Sequence, residues 1–439
     1  MPVVTGLGYP AMFTVGPDGR IFYSERLTGR VGVFDPATGV DSTYFIVSPL
    51  CAAGDQGLWG LALAPGFPSP PSLYAFATRR VADGSCHNQV LRIDGSTPGE
   101  LTVSVLLSDP YVAGHNGGRV LFGPDGNLYV STGDGSSTLP TPEQERAQRA
   151  VAQDPTSVKG KILRMTPSGA VPDDNPFGNA VFAYGFRNPF GFDFDPSSGQ
   201  LWVTDNGPDP SYAGDPVGPG PNGGCNDEVN RVVKGANYGW GPVGSCAKPP
   251  EAPLNSNQDG PDAVMPALNI EAASGITGAR FCVGCDLGAD YEGRLFYVDY
   301  DYRSGYGTVR AATLSADRMT VVSDAAVYVS PGGSPLSLER GADGAIYYSD
   351  AKGIYKLVAA DGTVPTTIPS TTTTGAPSPP TTVGSTTTTI SSTAPANLTV
   401  TGRTASTVGL RWDPVAGASE YRAYVSDTSG SGYILWASG

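Results

Sequence analysis

Histidine is the side chain best suited to moving protons near neutral pH, and this 439-residue chain contains only two, His87 and His115. His115 lies in AGHNGGRVLFGPDG, where Gly117 and Gly118 permit close backbone approach and a strand follows at once. It is the candidate base, weighed against a histidine kept for structure. His87 follows Cys86 and reads as a loop residue. In YGFRNPFGFDFDP, Arg187 and Asn188 precede a Pro-Phe-Gly bend that opens another strand. A guanidinium there can clamp an anion or stabilise developing negative charge, or it can pair with an acidic side chain. A third constellation joins TDNGPD (204–209) to NDEVNRVVKGANYGWG (226–241). Its carboxylates, amides and turn carbonyls are hard oxygen donors that suit calcium better than a transition metal. Gly207, Pro208, Asp227 and Glu228 are the candidate ligands.

Side chains so far apart in sequence need a scaffold that brings many loops together. The chain has 59 Gly, 40 Pro and only 15% charged residues, which points to short strands and tight turns, hence an all-β fold. A turn of Asp/Gly/Pro type followed by an aromatic-rich strand recurs six times: GPDGRIFYSER (16–26), FPSPPSLYAFATRR (67–80), GPDGNLYVSTGDG (123–135), DPSSGQLWVTDNG (195–207), YEGRLFYVDYD (291–301) and GADGAIYYSDAKG (341–353). A second strand follows several copies, as in GRVGVFD, QVLRID, GKILRMT and GIYKLVA. One four-stranded sheet cannot bury both faces, so such units stack radially around a channel whose mouth is built from inter-strand loops. Residues 1–360 are therefore expected to form a six-bladed β-propeller.

From about residue 361 the composition shifts to almost only Thr, Ser, Pro and Gly, with no charged or aromatic residue from Thr363 onward in this stretch, so 361–394 reads as an extended, disordered linker. Residues 395–439 resemble the opening strands of a fibronectin type III sandwich, with Trp412 and Tyr421 as core aromatics. Such a sandwich takes about 100 residues, so the piece here is a partial domain.

A net charge of −14 and the lack of clustered Lys and Arg argue against phosphate-backbone recognition, and hence against a nucleic-acid partner. No apolar run is long enough to span a bilayer. Six cysteines favour disulfides in an oxidising, extracellular compartment, although many pairings are open to six. Neighbour pairing (Cys51–Cys86, Cys225–Cys246, Cys282–Cys285) is the expectation. Cys282-Val-Gly-Cys285 could also serve redox chemistry or half a zinc site, but no second pair at ligand spacing supports zinc. No basic segment with an apolar run stands at the N-terminus, so a secreted protein would have a leader that is absent from this chain.

In order along the chain, GDQGLWGLAL, HNGGRVLFGPDG, KGKILRM, YGFRNPFGFDF, DNGPD and DEVNRVVKGANYGWG resemble successive signatures of the glucose/sorbosone dehydrogenase family, over residues 3 to 357. The resemblance implies a six-bladed propeller that oxidises a sugar with pyrroloquinoline quinone (PQQ) and calcium. It implies that His115 takes a proton from a sugar hydroxyl while hydride passes to the quinone. Arg187 and Asn188 would contact quinone and reacting oxygens, and the carbonyls of Gly207 and Pro208 would help hold calcium. Asp55, Gln56, Asn206, Arg303 and Arg340 complete the expected cofactor contacts. The chain also departs from the family pattern. Gly114 stands where glucose-oxidising members have an acidic residue. The fifth-blade stretch offers Asp299, Asp301 and Arg303 but no lysine. Ser334 and Leu336 occupy positions of cofactor-binding arginines, with Arg340 close by.

Two further readings compete with an extracellular sugar oxidoreductase. One is a calcium-braced, non-enzymatic propeller that binds carbohydrate or protein at a surface. The other is a calcium-dependent lactonase or related hydrolase. Sequence leaves the sugar, the electron acceptor and the oligomeric state open.

Overall fold

A computed structural model describes residues 1–95, 100–137, 139–208, 226–242, 260–270, 275–300, 307–330 and 333–359, with the strands of 399–403, 408–411, 422–425 and 434–438. Within unit Met1–Val364, six four-stranded antiparallel sheets form the blades of a propeller. Their first strands, Pro10–Val15, Leu58–Leu63, Val120–Phe122, Pro189–Phe194, Ile276–Phe281 and Ser337–Arg340, are the inner ring around the central channel. Pro2–Thr5 pairs with Gly353–Lys356 as the outer strand of blade 6, with Pro2 opposite Tyr355. Both ends of the propeller unit therefore meet in one sheet, which closes the ring without an open seam.

All six sequence repeats become the second strands of blades: Ile21–Glu25, Ser72–Arg80, Leu128–Thr132, Leu201–Asp205, Leu295–Asp299 and Ile346–Ser349. The preceding glycines take the left-handed conformation the turn requires, with φ of +83° at Gly19 and +75° at Gly126. These strands are buried on both faces, because each blade packs its neighbours on either side. Small hydroxyl residues at matching places seal those blade interfaces. Ser24 Oγ donates to Trp59 O at 2.7 Å, Thr204 Oγ1 to Thr277 O at 2.7 Å and Ser349 Oγ to Ala11 O at 3.2 Å, each reaching the inner strand of the next blade.

Between the second and third strands of blade 3 the chain inserts a helix, Pro142–Arg149. Thr141 caps it through Gln144 N, Gln144 reaches back to Thr141 N, and Pro142 occupies the first turn. The insertion runs into the 3-10 turn Ala150–Gln153, and the fully buried Lys161 donates to the carbonyls of Val151 and Ala152 at 2.8 and 2.9 Å. Burial pushes the Lys161 ammonium down to about 7. This local helix sits in a propeller of otherwise all-β build and braces the site described below.

Cys51–Cys86 and Cys282–Cys285 are disulfides as expected, while Cys225 and Cys246 lie outside the described residues. His87 does not sit in a loop: it lies in the third strand of blade 2, Cys86–Asp94, paired with Arg79 and Pro110 on its two sides. Cys86 begins that strand because the hairpin turn ends two residues before it, so the strand pattern continues through His87. Cys51–Cys86 spans 35 residues of sequence. Replacing both cysteines by serine is expected to lower stability by about 4 kcal/mol through release of loop entropy in the unfolded chain. Chemical denaturation under non-reducing conditions would check this, and an unchanged midpoint would refute it.

A second unit, Pro365–Gly439, contains two antiparallel strand pairs, Thr399–Arg403 with Val408–Arg411 and Arg422–Val425 with Ile434–Ser438. Trp412, Tyr421 and the spacer 361–394 lie outside the described residues. Among the described residues no helix is long and apolar enough to cross a membrane.

Candidate active site

In an antiparallel blade the start of the first strand adjoins the end of the second, so Pro189 pairs with Asp205 and Pro10 with Glu25. That edge of the propeller collects the segments that precede first strands and follow second strands. His115 and Asn116 precede the first strand of blade 3, and Asp134 follows its second. Arg187 and Asn188 precede the first strand of blade 4, and Asn206 to Pro208 follow its second. Trp240 comes from the loop after the third strand of blade 4, and Asp55 from the loop before the first strand of blade 2.

His115 is 4% exposed and held at φ +66°, a backbone conformation strained for a side chain of its size. Its Nδ1 lies 3.0 Å from Asp134 Oδ1, and its backbone N–H donates to Asp55 Oδ2 at 3.1 Å. Asp134 is fully buried and also accepts from Ser136 N (2.9 Å), Ser136 Oγ (2.7 Å) and Trp240 Nε1 (2.7 Å). Burial alone would raise its pKa. The hydrogen bond and electrostatic attraction from His115, the charge of Arg187 and the Ser136 hydroxyl together outweigh that and hold the carboxyl below its usual range. An ionised Asp134 beside Nδ1 favours the tautomer protonated there, which leaves Nε2 with the lone pair that a general base needs.

Arg187 is 3% exposed, with its guanidinium 5.6 Å from the Trp240 ring centroid and Nη1 donating to Asn206 O at 3.2 Å. The backbone amides of Arg187 and Asn188 donate to the two oxygens of Asp205 at 3.0 and 2.7 Å. Asn188 Oδ1 accepts from Gly117 N at 3.0 Å, joining the Arg187 segment to the His115 segment. The inserted helix supports the same cluster: Gln148 Nε2 donates to Asp134 O at 2.9 Å, and Gln153 Nε2 to Trp240 O at 2.7 Å. The structure thus brings His115, Arg187, Asn188, Asn206 and Gly207–Pro208 to one edge. Asp134 and Trp240 join them and were not among the sequence candidates. The signal available for Asp134 was its place in STGDG, at the end of the repeat in the same blade that carries His115.

Asp227 and Glu228 are consecutive residues of one strand, Asp227–Val232. Consecutive strand residues leave opposite faces of a sheet. Asp227 turns both carboxylate oxygens to backbone amides, Gly207 N at 2.7 Å and Gly275 N at 3.0 Å, and so braces the Gly207 turn. Glu228 pairs in register with Asp205 on the neighbouring strand. Burial pushes Asp227 up to about 7, with Asp299 adding to the rise against the bonds from Gly207 and Gly275. Burial, and then the Glu228 charge, raise Asp205 well above the ordinary carboxylate range. Among the described residues no three His, Cys, Asp or Glu side chains converge on a metal position. What remains for a hard cation at this edge are the carbonyls of Gly207 and Pro208, to which no described donor is directed.

The other expected contacts distribute as follows. Asp55 stands beside His115, and a Cβ at Gly114 would lie 2.6 Å from its Oδ2. The Asp55 carboxylate therefore fills the space a side chain at position 114 would take. Gln56 turns back on its own loop, accepting from Ala53 N at 3.1 Å. Arg340 is the last residue of the blade 6 first strand. It lines a cavity of about 430 Å³ with the far ends of three other inner strands, at the edge opposite His115. It is displaced because four strand residues carry the chain from one edge to the other. Arg303 lies outside the described residues.

A family model described as Glucose / Sorbosone dehydrogenase matches residues 7–353. The chain is 31% identical over 260 residues to quinoprotein glucose dehydrogenase B of Acinetobacter calcoaceticus, covering 54% of this chain and 51% of that protein, so the match spans about half the relative's length. A solved structure titled as a putative oxidoreductase (glucose dehydrogenase) from Thermus thermophilus superposes with a TM-score of 0.63 at 31% identity, covering 80% of this chain and 93% of that one. The PQQ-bound aldose sugar dehydrogenase of Streptomyces coelicolor shares the fold at a TM-score of 0.61 and 24% identity, covering 79% and 90%.

Proposed function

Because this chain belongs to the glucose/sorbosone dehydrogenase family, we propose that it is an extracellular, quinone-dependent oxidoreductase that oxidises a CH–OH group of an aldose or related sugar. The observation that carries this reading is the His115–Asp134 dyad beside the buried Arg187 guanidinium. Nε2 of His115 accepts the proton of the substrate hydroxyl. Asp134 stabilises the imidazolium that forms, as Trp240 and Ser136 hold the carboxylate in place. Arg187 stabilises negative charge on the reacting oxygen, and burial strengthens that interaction. Asn188 and Asn206 orient the anionic ligand, and the Asp55 carboxylate accepts from substrate hydroxyl groups.

PQQ, when bound, would supply the carbonyl that accepts hydride, and calcium would polarise it as a Lewis acid. The donor set suits both groups. Arg187 and the two asparagine amides match an anionic quinone, and the Gly207 and Pro208 carbonyls, steadied by Asp227, match a hard cation. A cation at this edge would favour the ionised forms of Asp205 and Asp227, which burial otherwise disfavours. Adding a chelator is therefore expected to lower the melting temperature by several degrees. At 100-fold saturation the bound ion contributes roughly 3 kcal/mol to the folded form. Identical melting with and without chelator would remove calcium from the proposal.

A second reading, a propeller that binds carbohydrate or protein without chemistry, is favoured by the position of Arg340, which leaves fewer cations for a tricarboxylate cofactor. In either reading the Thr/Ser/Pro-rich segment 361–394 links the propeller to a fibronectin-like module in 395–439. Titration of PQQ with calcium into the purified chain, followed by dye-coupled oxidation across a panel of aldoses, separates the two. Saturable binding with turnover supports the oxidoreductase. No binding at micromolar cofactor supports the binding protein.

A further inference from the structure

Arg26 follows the second strand of blade 1 and takes no part in the chemistry above, yet three contacts tie it to the loop that touches His115. Its guanidinium lies between two aromatic faces, 5.0 Å from the Tyr9 ring centroid and 5.1 Å from that of Trp59. Its Nη1 donates to Gly54 O at 2.6 Å and Gln56 O at 3.1 Å, the carbonyls on either side of Asp55. Its own carbonyl accepts from Leu58 N at 2.9 Å. Gly57, at φ +134°, packs so closely that a Cβ there would meet that carbonyl at 2.4 Å. One arginine of blade 1 thus docks the 54–58 loop of blade 2.

The loop passes this constraint on to blade 3. Asp55 O accepts from Trp59 Nε1 and from Asn116 Nδ2, both at 2.8 Å, while Asp55 Oδ2 accepts the backbone N–H of His115. His115 is held at a positive φ that a free loop would relax, so its imidazole stays aimed only while neighbours over-determine its backbone. We propose that Arg26 is a positioning residue for His115, acting through the 54–56 carbonyls and the Asp55 carboxylate. The inference rests on the reading of His115 as the base for its kinetic consequence, though not for its structural one.

The test uses the full chain carrying His87→Gln, which leaves His115 as the sole imidazole. Its ring signals are followed by NMR across pH, with kcat, KM and melting temperature, in Arg26→Met, Arg26→Lys, Asp55→Ala and the Arg26→Met/Asp55→Ala double variant. Arg26→Met keeps an unbranched apolar stem but loses the N–H donors. It should shift the His115 signal and its titration and lower kcat by on the order of 10- to 100-fold with little change in KM. Arg26→Lys, whose ammonium can reach the same carbonyls, should restore most of both. Asp55→Ala should reproduce the NMR change, and the double variant should add nothing further. An unmoved His115 signal in Arg26→Met overturns the proposal, as do additive effects or a lysine variant as impaired as the methionine one. A chain that oxidises no sugar would sink the base assignment, while the imidazole signal would still decide the positioning.

Discussion

Replacing His115 by asparagine is expected to reduce sugar turnover by on the order of 10²- to 10⁴-fold, the range a positioned general base supplies. Asparagine is the cleaner substitution because it tolerates the left-handed backbone that His115 adopts at φ +66°, whereas alanine would add strain at the same place. The amide cannot take the substrate proton, so kcat should fall while PQQ binding and the melting temperature stay near those of the parent. Steady-state kinetics with saturating PQQ and calcium would measure the effect. Turnover equal to that of the parent would remove His115 as the base, and with it the mechanism.

Asp134→Asn should be at least as damaging, although Asp134 touches no substrate. The carboxylate accepts from His115 Nδ1, from both Ser136 donors and from Trp240 Nε1. An amide there offers one acceptor oxygen and turns an N–H toward groups that are themselves donors. The imidazole then adopts the opposite tautomer, with Nδ1 accepting and the proton on Nε2, where the lone pair is needed. A fall in kcat on the order of 10³- to 10⁴-fold follows, as for other base–carboxylate pairs that lose the orienting charge. Asp134→Ala should in addition cost about 3–5 kcal/mol of stability, because it leaves buried donors without their acceptor. Wild-type kinetics in Asp134→Asn would show that the dyad does not set the tautomer.

Much of this architecture was legible because propeller repeats are local. Each turn and second strand carries its own signal, so IFYSE, LYVST, LWVTD and IYYS announced blades before any contact was known. His115 and Arg187 drew notice for a similar reason, since they lie five and two residues before the first strands of their blades. Trp240 was not, because it reaches Asp134 across 106 residues and no local pattern links them. The helix Pro142–Arg149 carried a capping signature that the all-β reading passed over.

By itself, then, the sequence determined the all-β repeat, the six blades, two of the disulfide pairs and the rarity of histidine that singled out His115. These depend on residue type and short spacing, which a linear chain displays directly. Only the tertiary structure decided which carboxylate meets which base. Asp134 became the partner of His115, Asp227 became a brace for Gly207 and Asp55 filled the space beside Gly114. Arg340 went to the opposite edge. The reason is geometric: strand alternation and direction assign each side chain to a face and an edge, and ring closure then sets side by side loops that lie far apart along the chain.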